Sequence, residues 1–312
     1  MTVGRAVLRP VVVITGSSSG IGRATAAAMA TADWNVVLVA RATESLTDAA
    51  AECAAAGADT LVVTADVGDR AEVDAMFEAA SAKFGRVTAV VHTAAVVGYG
   101  RFEDIPAKVF DRVITTNLLG TANVARSALR HFGRHGGGDL VLMGSLLGKI
   151  AVPYMSPYVT SKWGVHALAR MLQIEAKRSP GVRISLISPG SVNTPAYSQA
   201  ANYLGRQGRP PPPIDPPEKV ARAVLRALRK PTRDRSVGIA NPVVVLGFRA
   251  LPGIFDLLVS PLMRLAGLSR IAVEPTTGSV LHAQPTGDAR HGVWNRLGRR
   301  TDSAAPPSRQ SP

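Results

Sequence analysis

Cysteine is nearly absent: Cys53 stands alone in 312 residues. An intramolecular disulfide framework is therefore excluded, and a reducing, cytoplasmic compartment is expected. Long apolar runs are missing too, none reaching the roughly 18 residues of a membrane-spanning helix. After Met-Thr-Val-Gly-Arg the chain enters a strand-like run, so no signal peptide is expected. Aromatic residues make up 5 % and charged residues 19 %, against 46 % hydrophobic. That is globular composition, in a chain long enough to bury a large core. No metal site is expected. The shortages together exclude a secreted disulfide scaffold, a multi-span membrane protein and a disordered or collagen-like chain.

Acidic residues are scarce in one region only. Residues 1–204 hold 19 Lys+Arg and 15 Asp+Glu, whereas residues 205–312 hold 17 and 7. The net charge of +14 therefore sits mostly in the last third. A basic third suits nucleic acid, an anionic membrane surface or a solubilising tail. Nucleic acid is disfavoured, because the basic residues are scattered, with few interleaved aromatics and no binding motif.

Short apolar runs alternate with Ala-rich stretches through the first two thirds. Strands are expected at Val11–Thr15, Asn35–Ala40, Leu61–Ala65, Ala89–Thr93, Leu140–Gly144 and Arg183–Ser188. Helices are expected at Gly22–Thr31, Thr43–Ala56, Arg70–Phe84, Pro106–Phe132 and Pro157–Arg178. Regular strand–helix alternation implies an α/β fold, a doubly wound parallel sheet with its ligand at the carboxyl edge. Further on, Pro210–Pro213 stiffen a loop, Pro217–Lys230 reads as a basic amphipathic helix and Ser236–Ala240 as a short strand. In Leu251–Leu268, Leu251, Ile254, Phe255, Leu258, Leu262 and Leu265 share one helical face, although Pro252 and Pro261 break any long helix. The expected organisation is a dinucleotide-binding catalytic domain over 1–240, an amphipathic extension over 241–271 and a disordered tail over 272–312.

A strand, a glycine-rich turn and a helix follow one another in Val13-Ile14-Thr15-Gly16-Ser17-Ser18-Ser19-Gly20-Ile21-Gly22. Gly16 permits the tight turn, Gly20 the approach of a diphosphate and Gly22 close packing of helix on strand. Ser18, Ser19 and Ile21 belong to the same loop. The second strand ends at Arg41, where an arginine suits a 2′-phosphate and a carboxylate would suit a free ribose. NADP(H) is thus favoured over NAD(H), the alternative being a solvated surface arginine. Tyr158 and Lys162 lie four apart, so that on a helix they share a face. A lysine charge ~4–5 Å from the phenol, at an effective dielectric of ~20, favours phenolate by roughly 3–4 kcal/mol. That lowers the phenol pKa by about two to three before desolvation is subtracted. Ser145 follows the fifth strand, Asn117 lies inside a long helix, and Pro189-Gly190 turn after the sixth strand.

These stations, in this order over roughly residues 8–240, resemble the short-chain dehydrogenases/reductases, Rossmann-fold oxidoreductases with a Tyr-x-x-x-Lys site. The resemblance implies Tyr158 as general acid and base, Lys162 lowering its pKa and holding the nicotinamide ribose, and Ser145 bonding the substrate oxygen. It also implies a relay water supported by Asn117, adenine contacts at Asp66 and Val67, and nicotinamide-end contacts at Pro189, Gly190 and Thr194. Asp66 also reads as a plain strand-end cap. The family usually carries Asn-Asn-Ala-Gly where this chain has His92-Thr93-Ala94-Ala95; Ala94 is kept, two amides are lost and a methyl is added. His92 reads as structural. Near the active edge Val96, Val97, Tyr99, Leu146, Leu147, Tyr154, Met155, Tyr197, Tyr203 and Leu204 suggest an apolar ketone or secondary alcohol, or simply core. The extension suits a peripheral membrane contact, a groove cap or a partner subunit, and the resemblance implies a homo-oligomer. The rival functions are a non-catalytic NADP(H)-binding regulator and a membrane-associated interaction protein.

Overall fold

A computed structural model describes residues 9–284 and 287–301. In chain order its elements are β1 (Val11–Thr15), α1 (Gly20–Thr31), β2 (Asn35–Ala40), α2 (Thr43–Ala55), β3 (Thr60–Thr64), α3 (Arg70–Phe84) and β4 (Ala89–His92). There follow β5 (Gly98–Tyr99), α4 (Ala107–Ile114), α5 (Gly120–Arg134), β6 (Gly138–Met143), α6 (Ser156–Glu175) and β7 (Val182–Pro189). The last third holds β8 (Ala201–Asn202), β9 (Arg206–Gly208), α7 (Pro217–Arg229), β10 (Arg235–Val237), α8 (Asn241–Ala250), α9 (Pro252–Leu262) and β11 (Leu268–Ala272).

Seven strands form one parallel sheet in the order β10-β7-β6-β4-β1-β2-β3. β1 is central because its Val-Val-Val-Ile run is apolar on both faces, and all of it is buried. Alternate residues serve opposite layers. Val12 and Ile14 join the core under α1, α2 and α7, while Val11 and Val13 join the one under α3, α5 and α6. The chain winds outward from β1 through β2 and β3, then returns to β4 on the other side. The resulting crevice between β1 and β4 is where ligands of such sheets sit.

Expectation and structure part in three places. The helix expected over Pro106–Phe132 is interrupted by a π-helical turn at Thr115–Leu119, which holds Asn117. The amphipathic stretch Leu251–Leu268 begins helical in α9, passes through a second π-helical turn at Met263–Gly267 and ends in a strand paired with β9. Pro252 starts α9 rather than breaking it, since proline suits a first helical turn. Finally, residues 272–284 and 287–301 are not the disordered tail that their composition suggests. They pack back on the fold, held by buried Val280 and Trp294 and by backbone bonds from Thr276, Ser279 and Gly292. The rest of the expected tail, 285–286 and 302–312, lies outside the described residues.

Candidate active site

The glycine loop joins β1 to α1 across the sheet's crevice. Gly16 has φ +71° and Gly20 φ +52°, backbone that favours glycine. A Cβ on Gly16 would lie 2.7 Å from Cα of Ala94, and one on Gly22 would overlap the carbonyl of Gly16. Bare backbone thus lets β1, the end of β4 and α1 meet. The cradle fits a dinucleotide, because the first N–H groups of α1 have no partner within the helix and its dipole favours an anion there. A cleft of ≈ 780 Å³ opens from this loop along the carboxyl edge. Every residue assigned above to cofactor binding lines it, as do Ser145, Tyr158 and Lys162, whereas Asn117 lies behind the wall.

Tyr158 and Lys162 project from α6 one turn apart, and the Lys162 Nζ lies 5.6 Å from the phenol ring's centroid. Lys162 is buried and donates to the carbonyl of Met143 at 2.9 Å. Burial brings its pKa down to about 8. Ser145 reaches the same space from the end of β6, where its Oγ accepts from the N–H of Leu147 at 3.1 Å. Burial pushes the Tyr158 phenol up, opposed by the neighbouring Ser145 hydroxyl. The depression expected from Lys162 is therefore not what the protein alone produces: exclusion of water raises the phenol, and the ammonium is drawn toward the Met143 carbonyl.

Asn117 is fully buried in the π-helical turn. Its Nδ2 donates to the carbonyl of Val96 at 2.9 Å and to Ser161 Oγ at 3.1 Å, while its Oδ1 accepts from the N–H of Val96 at 2.8 Å. Both amide hydrogens are thus spent on bracing the segment after β4 against α6. No side-chain hydrogen is left to orient a relay water.

At the cleft's other end Arg41 and Asp66 face each other. Burial lowers the Arg41 pKa, with Asp66 opposing. Burial raises the Asp66 carboxyl, but Arg112 and the N–H of Gly68 outweigh it and hold the group below its ordinary value. Arg41 also donates to the carbonyls of Ser279 and Val280, at 2.5 and 3.2 Å. It is therefore a held residue rather than a solvated one.

The family profile described as short chain dehydrogenase matches residues 10–203. The chain belongs to the short-chain dehydrogenase family. Its curated relatives include the uncharacterized oxidoreductase YxnA of Bacillus subtilis, 34 % identical over 81 % of this chain and 72 % of that one. Among solved structures, the alcohol dehydrogenase of the archaeon Thermococcus sibiricus complexed with 5-hydroxy-NADP superposes with TM-score 0.64 at 29 % identity, covering 73 % of this chain and 95 % of that one. Actinorhodin polyketide ketoreductase with NADPH gives TM-score 0.66 at 27 % identity, covering 75 % and 97 %. Membership makes the protein an oxidoreductase that binds a nicotinamide dinucleotide.

This short-chain dehydrogenase replaces the amide contacts its β4 lacks. Thr93 Oγ1 donates to the carbonyl of Thr15 at 2.7 Å, and His92 Nδ1 pairs with Thr15 Oγ1 at 2.8 Å. β4 remains tied to β1 by different side chains. His92 Nε2, wholly buried, has no partner, and burial brings that ring's pKa down to about 3. Sequence reasoning missed His166, which accepts from the N–H of Ser145 at 3.3 Å; its place one turn beyond Lys162 was the available signal. Of the alternatives for the extension, the groove cap is the one the structure shows, since α8 and α9 wall the cleft with Val244, Phe255 and Val259; the tail residues Ser279 and Asp288 were missed. Of the apolar residues expected at the edge, Tyr154, Tyr203 and Leu204 lie off the cleft. The Tyr154 hydroxyl accepts from Arg264 instead, at 2.9 Å. Among the described residues no helix is long and apolar enough to cross a membrane.

Proposed function

We propose that the protein transfers a hydride between NADP(H) and an apolar ketone or secondary alcohol, with Tyr158 as general acid in reduction and general base in oxidation. One observation carries this reading: a half-buried phenol on the cleft wall, beside Ser145 and one turn from a buried ammonium, faces a cleft walled mainly by apolar side chains. When bound, the cofactor supplies the hydride and its nicotinamide ring accepts it back in the reverse direction.

The protein's own groups do the rest. The loop Gly16, Ser18, Ser19, Gly20, Ile21 and Gly22 holds the diphosphate, Arg41 the 2′-phosphate, and Asp66 with Val67 the adenine. Ala94 backs the cofactor, and Pro189, Gly190 and Thr194 meet its nicotinamide end. Lys162 binds the nicotinamide ribose, and its positive charge favours loss of the phenol proton. The Ser145 hydroxyl donates to the substrate oxygen as negative charge develops there, and the Tyr158 proton completes the alcohol. Asn117 serves as a positioning residue. Val244, Phe255, Val259, Tyr99 and Met155 exclude water and select an apolar substrate.

Two NADP-type complexes among the structural neighbours support the cofactor choice, as does the held Arg41. Turned away from the cleft, Leu246 of α8, Leu257 of α9 and Leu265 of the second π-helical turn are exposed, which supports a peripheral apolar contact with a membrane. Trp163, Met171 and Ile174, exposed on α6, support a homo-oligomer. The test is reduction of a panel of apolar ketones by NADPH and NADH. The reading expects turnover with NADPH and a tighter Kd for NADPH than for NADH. Tighter NADH binding would sink the NADP(H) assignment.

A further inference from the structure

The tail that composition marks as disordered crosses the cofactor cleft. Its Ala289 carbonyl accepts from the N–H of Gly20 at 2.9 Å, at the first residue of α1. An N–H group at that helix start has no partner within the helix and is one of the donors a diphosphate would take. Beside it, Asp288 lines the cleft, accepts from Gln199 Nε2 at 2.8 Å and raises the pKa of Arg41 by its charge. A carbonyl oxygen thus stands on one of the donors that the proposed cofactor needs, and a carboxylate lies within electrostatic reach of the cation.

The segment is held from both sides. Arg290 reaches Glu52 on α2 at 2.6 Å, and the same carboxylate takes Arg23 of α1 at 2.7 Å. His291 meets Glu218 of α7 at 2.8 Å. Beyond these, Gly292 donates to the carbonyl of Asn193 and Trp294 to its Oδ1, with the Trp294 ring buried. Val280, fully buried, fixes the entry to the crossing. Arg41 is bonded by this fixed entry, at Ser279 and Val280, and a guanidinium has five N–H donors, so it keeps donors for a phosphate. The Ala289 contact belongs instead to the stretch held by half-exposed ion pairs. That stretch is the part able to yield.

We infer that Asp288–His291 is an internal occupant of the diphosphate site, which the dinucleotide must displace to bind. The inference rests on the dinucleotide reading of the glycine loop but not on the choice of NADP(H) over NAD(H), since both carry the diphosphate. It assigns cofactor affinity in part to Arg290, a residue outside the catalytic and binding machinery. An unpaired N–H at a helix N-terminus takes a carbonyl oxygen as readily as a phosphate oxygen, and here the chain supplies its own acceptor.

The experiment is titration calorimetry of the full chain with NADP⁺ and with NAD⁺, for wild type, Arg290→Ala and Arg290→Lys. A part-exposed ion pair is worth about two- to fivefold in such an equilibrium. Arg290→Ala is expected to tighten both dinucleotides by about that common factor, and Arg290→Lys to restore wild-type values. Hydrogen exchange of peptides spanning 287–292 is expected to speed up when NADP⁺ binds. An unchanged or weaker Kd for both dinucleotides in Arg290→Ala, or slower exchange on binding, would overturn the inference, because the segment would then close over the cofactor. If wild type prefers NAD⁺ yet Arg290→Ala still tightens both, the NADP(H) assignment fails and the occupant stands. Binding of neither dinucleotide by wild type or variant would overturn both.

Discussion

At the scale of single residues, burial decides more than pairing. Three histidines show it with a consequence for stability. Burial lowers His92 to about 3 and His131 and His166 to about 4, so all three are neutral in the native protein. In the unfolded chain a histidine titrates near ~6.5. Below that pH the unfolded state binds protons that the native state refuses. The stability contribution is therefore present above pH ~6.5 and lost as the pH falls toward the folded values. For His92 alone the loss by pH 5 is about 2 kcal/mol. Urea unfolding at pH 7 and pH 5 is expected to show at least that loss, reduced in His92→Asn. Equal stability of the wild type at both pH values would contradict it. The same balance explains Tyr158 and Lys162. Their spacing is legible in the sequence, but the direction of the phenol's shift depends on what covers α6, and most of that cover comes from segments far along the chain.

At the scale of elements, periodicity reads regular segments well and irregular ones poorly. β1, β2 and α3 have the bounds that their apolar runs and Asp69 cap imply, the Asp69 carboxylate accepting from the N–H groups of Ala71 and Glu72. The π-helical turn at Thr115–Leu119 is invisible to a 3.6-residue period, because it adds a residue without changing the helix's direction; such turns mark functional sites. Here the turn lets Asn117 reach across to Val96 and Ser161. Asn117→Ala would leave the buried N–H and carbonyl of Val96 without these partners. A loss of about 2–4 kcal/mol in urea unfolding is expected, from two orphaned backbone groups. An unchanged midpoint would remove the bracing role. The two-residue strands β5 and β8 are too short for any pattern to declare them.

At the scale of the whole molecule, the parallel sheet was legible because six apolar runs alternate with helical stretches, and the glycine loop and Tyr-x-x-x-Lys fall at its carboxyl edge. The stretch beyond residue 272 was not. Its proline, glycine and arginine content reads as a solvated tail, yet Val280 and Trp294 are buried and Arg290 and His291 are paired. A few anchors at wide spacing suffice to order such a segment, and composition averages them away. The cleft is consequently a joint product: glycine loop and α6 from the first two thirds, apolar wall and diphosphate-site occupant from the last. The central claim is that Tyr158 moves the proton in this cleft. Its most direct test is steady-state reduction of an apolar ketone by NADPH, comparing wild type with Tyr158→Phe and measuring NADPH affinity for both. The account predicts a kcat lower by about 10²–10⁴ with NADPH affinity nearly unchanged, as for loss of a general acid. Tyr158→Phe turning over at the wild-type rate would contradict it.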